Sequence, residues 1–145
     1  MKNAIADLDT SYPAVPASVG YARAAVVALA ALAGAGEEAL DRVRLAVSEA
    51  VSNVVVHAYG GNPAGAVQII AAAIDGELTI VVADHGCGLG DAAESPGLGF
   101  GIALMTSICD SLTYTTRSSG GTEVALRLSL QSSPTAVTTI SAPWQ

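Results

Sequence analysis

The sequence predicts an α+β domain: a two-layer sandwich with a mostly antiparallel sheet and helices on one face. Three observations carry this. Two pairs of apolar runs are joined by turn signals, so the strands arrive as hairpins. Helix-period runs precede the first hairpin and separate it from the second. A length of 145 residues suits a single core.

Along the chain, residues 5–8 read as a short edge strand, broken by the two prolines in 12–16. Residues 18–33 read as an alanine-rich helix stopped by Gly34 and Gly36. Glu37, Glu38 and Asp41 place negative charge at the start of a second helix, where the macrodipole favours it. That helix runs to about His57, with Leu40, Val43, Val47, Val51 and Val54 at the spacing of a buried stripe. The triplet Val54-Val55-Val56 is β-branched and weakens its last turn. Residues 66–74 and 78–83 are strands joined by Asp75-Gly76. Residues 84–101 are glycine-rich and read as a loop, and 102–109 as a short helix. Residues 112–117 and 122–130 form a second hairpin. Residues 1–130 thus make one domain, and 131–145, rich in Ser, Thr and Pro, a flexible tail.

Composition narrows the function. Hydrophobic residues make up 51% and charged residues 13%, which excludes a mostly disordered chain. The net charge is -7 with six basic residues, which argues against nucleic acid or an anionic membrane as partner. Residues 24–33 are apolar without interruption, yet too few to span a bilayer and too far from Met1 for a signal peptide. Two cysteines make no disulfide framework, so both read as thiols in a cytoplasmic protein.

Three segments carry candidate chemistry. Glu49 and Asn53 are four apart, on one face of the second helix. The Asn53 amide oxygen suits Mg²⁺, and Glu49 would then stand beside a γ-phosphate, able to take a proton from a hydroxyl. Asp84 ends a strand and is followed by Gly86 and Gly88; its carboxylate suits an adenine amino group, with glycines allowing close backbone approach. Gly97, Gly99 and Gly101 lead into a helix, where exposed N–H groups favour an anion. Each segment alone also suits a blander role: a solvated helix face, a turn after a strand, a surface loop. Their order and spacing together favour a nucleotide site. The chain has no phosphate-loop motif, and its one lysine is Lys2. His57 reads as structural; His85, Cys87 and Cys109 match no strong zinc spacing and no oriented nucleophile pair.

Together, Glu49-x-x-x-Asn53, Asp84-x-Gly86-x-Gly88, Gly97-x-Gly99-x-Gly101 and Gly121-Thr122 resemble the GHKL ATPase superfamily, over roughly residues 3–130. The stretch from Val47 to Tyr59, ending His57-Ala58-Tyr59, looks most like the anti-sigma-factor serine kinases. The resemblance implies the Bergerat fold with ATP or ADP and Mg²⁺ as cofactors. It implies that Asn53 holds Mg²⁺, that Asp84 binds adenine with help from Thr122, and that Gly97, Gly99 and Gly101 belong to the ATP lid. Glu49 would be the base that activates a serine on an anti-anti-sigma (STAS-type) protein, and Arg23 would contact the partner. A sigma factor held by a homodimer completes the implied picture. Only residues 91–96 separate Gly90 from Gly97, a short lid. That shortness favours the alternative, a nucleotide-sensing module that transfers no phosphate. A detached histidine-kinase ATPase domain is the remaining alternative.

Overall fold

The computed structural model describes residues 6–60, 65–86, 98–118 and 120–131. The elements follow the expected order: β1 (Ala6–Pro13), α1 (Ala17–Leu32), α2 (Glu37–Asn53), a wide π-type turn (Val54–Ala58), β2 (Ala66–Ile74), β3 (Glu77–Asp84), α3 (Leu98–Ile108), β4 (Ser111–Thr116) and β5 (Thr122–Ser129). The five strands form one sheet in the order β1-β2-β3-β5-β4, every neighbouring pair antiparallel. The predicted α+β sandwich is therefore observed.

Strand alternation builds the core. Val67, Ile69, Ala71 and Ala73 of β2, Leu78, Ile80 and Val82 of β3, and Val124, Leu126 and Leu128 of β5 are buried. They face Ala22, Val26, Leu29 and Ala30 of α1 and Val43, Ala46, Val47, Ala50 and Val51 of α2 in one cluster. The apolar run in 24–33 thus supplies a core-facing stripe of α1, and no helix among the described residues is long and apolar enough to cross a membrane. Each buried Val or Leu contributes about 1.5–3 kcal/mol. The abundant alanines let the helices lie close to each other and to the sheet.

Local signals close the elements as their chemistry requires. At the end of α1 the amide of Ala35 donates to Ala30 O and that of Gly34 to Ala31 O, both at 3.0 Å. Gly34 has φ 93°, so this is a Schellman cap on the expected glycine. Asp75 and Gly76 both have positive φ (52° and 78°), the signature of the I′ turn expected between β2 and β3. Leu130 is buried, and its amide donates to Gly76 O at 2.9 Å, tying the end of β5 to that turn. Apart from Gln131, the expected tail lies outside the described residues.

Three boundaries differ from expectation. β1 runs on through Tyr12 to Pro13, which pairs with Ala66. It is an edge strand, where a proline at the terminus costs no central ladder bond. The second helix changes winding after Asn53: residues 54–58 form one wide turn, where crowding of β-branched valines disfavours regular α geometry. α3 starts at Leu98, so Gly99 and Gly101 lie in its first turn and not in a loop. Glycine costs a helix only about 1 kcal/mol, too little to outweigh the helix-forming run that follows.

Candidate nucleotide site

The site is assembled where the C-terminal end of α2 meets the end of β3 and the β4–β5 turn. Asp84, the last residue of β3, is 5% exposed. Its Oδ1 accepts the amides of Gly86 (2.9 Å) and Thr122 (3.2 Å). These donors offset the cost of burying a carboxylate. Oδ2 takes no part in either bond. Thr122 was expected to assist Asp84, and the link the structure shows runs through its main-chain amide.

Glycine is obligatory at two points around this carboxylate. A Cβ on Gly86 would overlap the carbonyl oxygen of Ala58 in the wide turn. Gly121 has φ 94°, and a Cβ there would overlap the carbonyl oxygen of Asp84. Three backbone segments therefore meet without side chains between them, and Asp84 sits at their junction.

Asn53 closes α2, with Glu49 one turn earlier; both are half-buried. The Asn53 Nδ2 is buried without a hydrogen-bond partner among the described residues, and so is the hydroxyl of Tyr114 on β4. The two groups are neighbours. Burial pushes the Tyr114 phenol above its ordinary range, and the Asn53 amide beside it acts in the opposite sense. An amide oxygen one turn from a carboxylate is a hard donor set of the kind Mg²⁺ takes, completed by phosphate oxygens and water. No trio of His, Cys, Asp or Glu able to hold a metal occurs among the described residues.

Arg23 is exposed on α1, and its Nη1 donates to Ser48 Oγ at 3.2 Å, so it reaches the residue next to Glu49. Gly99 and Gly101 stand in the first turn of α3, where amide donors lack intrahelical partners. Gly88 and Gly97 lie outside the described residues, as does Cys87. Burial, with the Asp110 charge adding to it, pushes the Cys109 thiol up to about 11. It therefore stays protonated near neutral pH and is a poor nucleophile or metal ligand.

Two side chains escaped the sequence reading. Tyr114 alternates with Leu112 on β4, and both pack against the core. Tyr59 was noted only as part of His57-Ala58-Tyr59, and its hydroxyl proves to bond both Ala66 and His85.

Residues 12–128 match the histidine kinase-like ATPase domain family. The chain is 30% identical over 134 residues to an anti-sigma F factor of Shouchella clausii, covering 85% of this chain and 92% of that one. It is 33% identical over 118 residues to an anti-sigma F factor of Clostridium acetobutylicum, covering 74% and 82%. A crystal structure of the RsbU and RsbW domains of Rv1364c from Mycobacterium tuberculosis superimposes with a TM-score of 0.70 at 23% identity. This chain is covered to 88% and spans 33% of that longer one, and the likeness supports the fold. A five-stranded antiparallel sheet under α1 and α2, a buried carboxylate at the end of β3, and relatives matched over most of their length lead to one assignment: the chain belongs to the histidine kinase-like ATPase family, in its anti-sigma-factor branch.

Proposed function

We propose that this chain binds ATP, holds a sigma factor, and transfers the γ-phosphoryl group to a serine of an anti-anti-sigma protein. The observation that carries the reading is the buried Asp84 carboxylate, fixed at Oδ1 by two backbone amides, with Oδ2 outside both bonds. That arrangement suits one donor, such as the amino group of adenine. The similarity to anti-sigma F factors supplies the sigma-factor side.

In this mechanism Asp84 Oδ2 accepts from the base, and Gly86 lets the main chain lie against it. First-turn amides of α3, at Gly99 and Gly101 after Gly97, face the phosphates. Asn53 Oδ1 would hold Mg²⁺, which would supply charge neutralisation on the triphosphate. Glu49 accepts the proton of the attacking serine hydroxyl as the serine oxygen–phosphorus bond forms and the bond from the γ-phosphorus to the β,γ-bridging oxygen breaks, releasing ADP. Phosphoryl transfer of this kind depends mainly on positioning and charge neutralisation. Arg23, linked to Ser48 beside Glu49, is the proposed contact with the protein partner. Action in the cytoplasm, where sigma factors work, follows from this reading. Assembly as a homodimer is part of it too. The sheet face away from the helices carries Ile70, 40% exposed, and sedimentation at twice the 14.4 kDa chain mass is the expected result.

The test is direct. Purified protein with Mg·ATP should label a serine on its anti-anti-sigma partner. Glu49→Ala should lower labelling by about a thousandfold and leave ADP affinity within about twofold, because the purine end is untouched. Labelling at the wild-type rate in that variant removes Glu49 from the mechanism. Absent labelling by the wild type, with ATP binding intact in calorimetry, selects a nucleotide-sensing module instead.

A further inference from the structure

Tyr59 is the first residue beyond the wide turn that ends α2. Its ring lies on Gly65, where a Cβ would overlap the ring carbons. Its hydroxyl donates to Ala66 O at 2.6 Å and accepts the His85 amide at 2.8 Å. One phenol therefore joins the end of the α2 segment, the first residue of β2 and the first residue after β3. His85 stands between Asp84 and Gly86, whose amide in turn donates to Asp84 Oδ1.

The order of these bonds matters. Asp84 and Gly86 form an Asx-type turn, in which the side chain bonds the amide two residues on. The turn is maintained only while the main chain at His85 and Gly86 keeps its orientation. Tyr59 holds the amide on one side of His85, and Ala58 O abuts Gly86 on the other. With the hydroxyl removed, the His85 amide turns to water, the Gly86 amide drifts from Oδ1, and the carboxylate loses one of the two bonds that set its angle. Oδ2 then no longer points in one direction.

We infer that Tyr59 is a positioning residue for purine selection: its hydroxyl sets the aim of Asp84 and so the preference for a base bearing an exocyclic amino group. This rests on the reading of Asp84 as the purine acceptor. Nothing in the proposed phosphoryl transfer needs the Tyr59 hydroxyl, so its effect falls on the choice of base and not on the phosphates.

The experiment compares ADP with inosine diphosphate, which carries a carbonyl in place of the amino group, by competition titration. The wild-type protein should prefer ADP. Tyr59→Phe keeps the ring on Gly65 and removes both hydrogen bonds; it should bind ADP about fivefold more weakly and inosine diphosphate as before, so the preference narrows by that factor. Gly65→Ala, which displaces the ring while keeping the hydroxyl, should narrow it in the same sense. An ADP preference unchanged in both variants overturns the inference, as does an equal loss of both nucleotides, which would mark a purely structural tyrosine. A wild-type protein that binds neither nucleotide overturns the reading of Asp84 itself, whereas intact wild-type preference with an unmoved ratio in the variants overturns only the role given to Tyr59.

Discussion

The two ends of the proposed cleft are built differently. At the purine end, Asp84 is buried and its Oδ1 is doubly bonded by main-chain amides, with Gly86 and Gly121 packed backbone to backbone around it. At the phosphate end, Asn53 Nδ2 and the Tyr114 hydroxyl are buried without hydrogen-bond partners among the described residues. Among the described residues, the proposed purine end already has its carboxylate bonded, whereas the proposed phosphate end has buried polar groups without such bonds. In the proposed mechanism, selectivity for the base would belong to a preformed element, and the chemistry to groups that a charged ligand must organise.

The contrast can be tested most severely at Asp84. Asp84→Ala removes the external acceptor and strands two amides, a loss of about 3 kcal/mol. ATP and ADP should both bind about a hundredfold more weakly in calorimetry; affinities within threefold of wild type would show that the purine end is not where binding is decided. A smaller effect is expected on withdrawing the metal. With EDTA present, ATP affinity should fall about tenfold and adenosine affinity should not change, because only the phosphate end depends on Mg²⁺. An equal fall for adenosine would erase the distinction between the ends. The smallest effect belongs to Tyr114→Phe. Freed from its neighbour, the Asn53 amide can turn, and Mg·ATP affinity should drop about threefold while ATP affinity in EDTA stays constant. A change that ignores the metal would place Tyr114 in packing alone.

Much of this arrangement is legible in the sequence, and the exceptions have physical causes. Asp75-Gly76 specifies a turn with two positive φ values, so the β2–β3 hairpin is readable from local chemistry. The valines of α2 reveal its buried stripe because their spacing repeats. Glu49 and Asn53 share a helix face for the same reason. The extension of β1 through Pro13 is not readable, since proline normally ends a strand and only the edge position tolerates it. The winding of residues 54–58 is hidden because a β-branched triplet signals discomfort in a helix without saying how it is relieved. That Thr122 bonds Asp84 through its main chain is invisible, because every residue type but proline carries that donor. Tyr114 meets Asn53 only through the packing of β4 beneath the helix layer, a long-range match that no local pattern encodes.

The wide turn at 54–58 has one more consequence. In a regular α-helix each residue advances the chain by about 100°, so shortening this stretch by a single residue would swing Tyr59 by roughly a quarter of a revolution, away from His85. The helix acts here as a phase adjuster: an extra residue's worth of winding reconciles two halves of a pocket that ordinary helical periodicity would leave out of step.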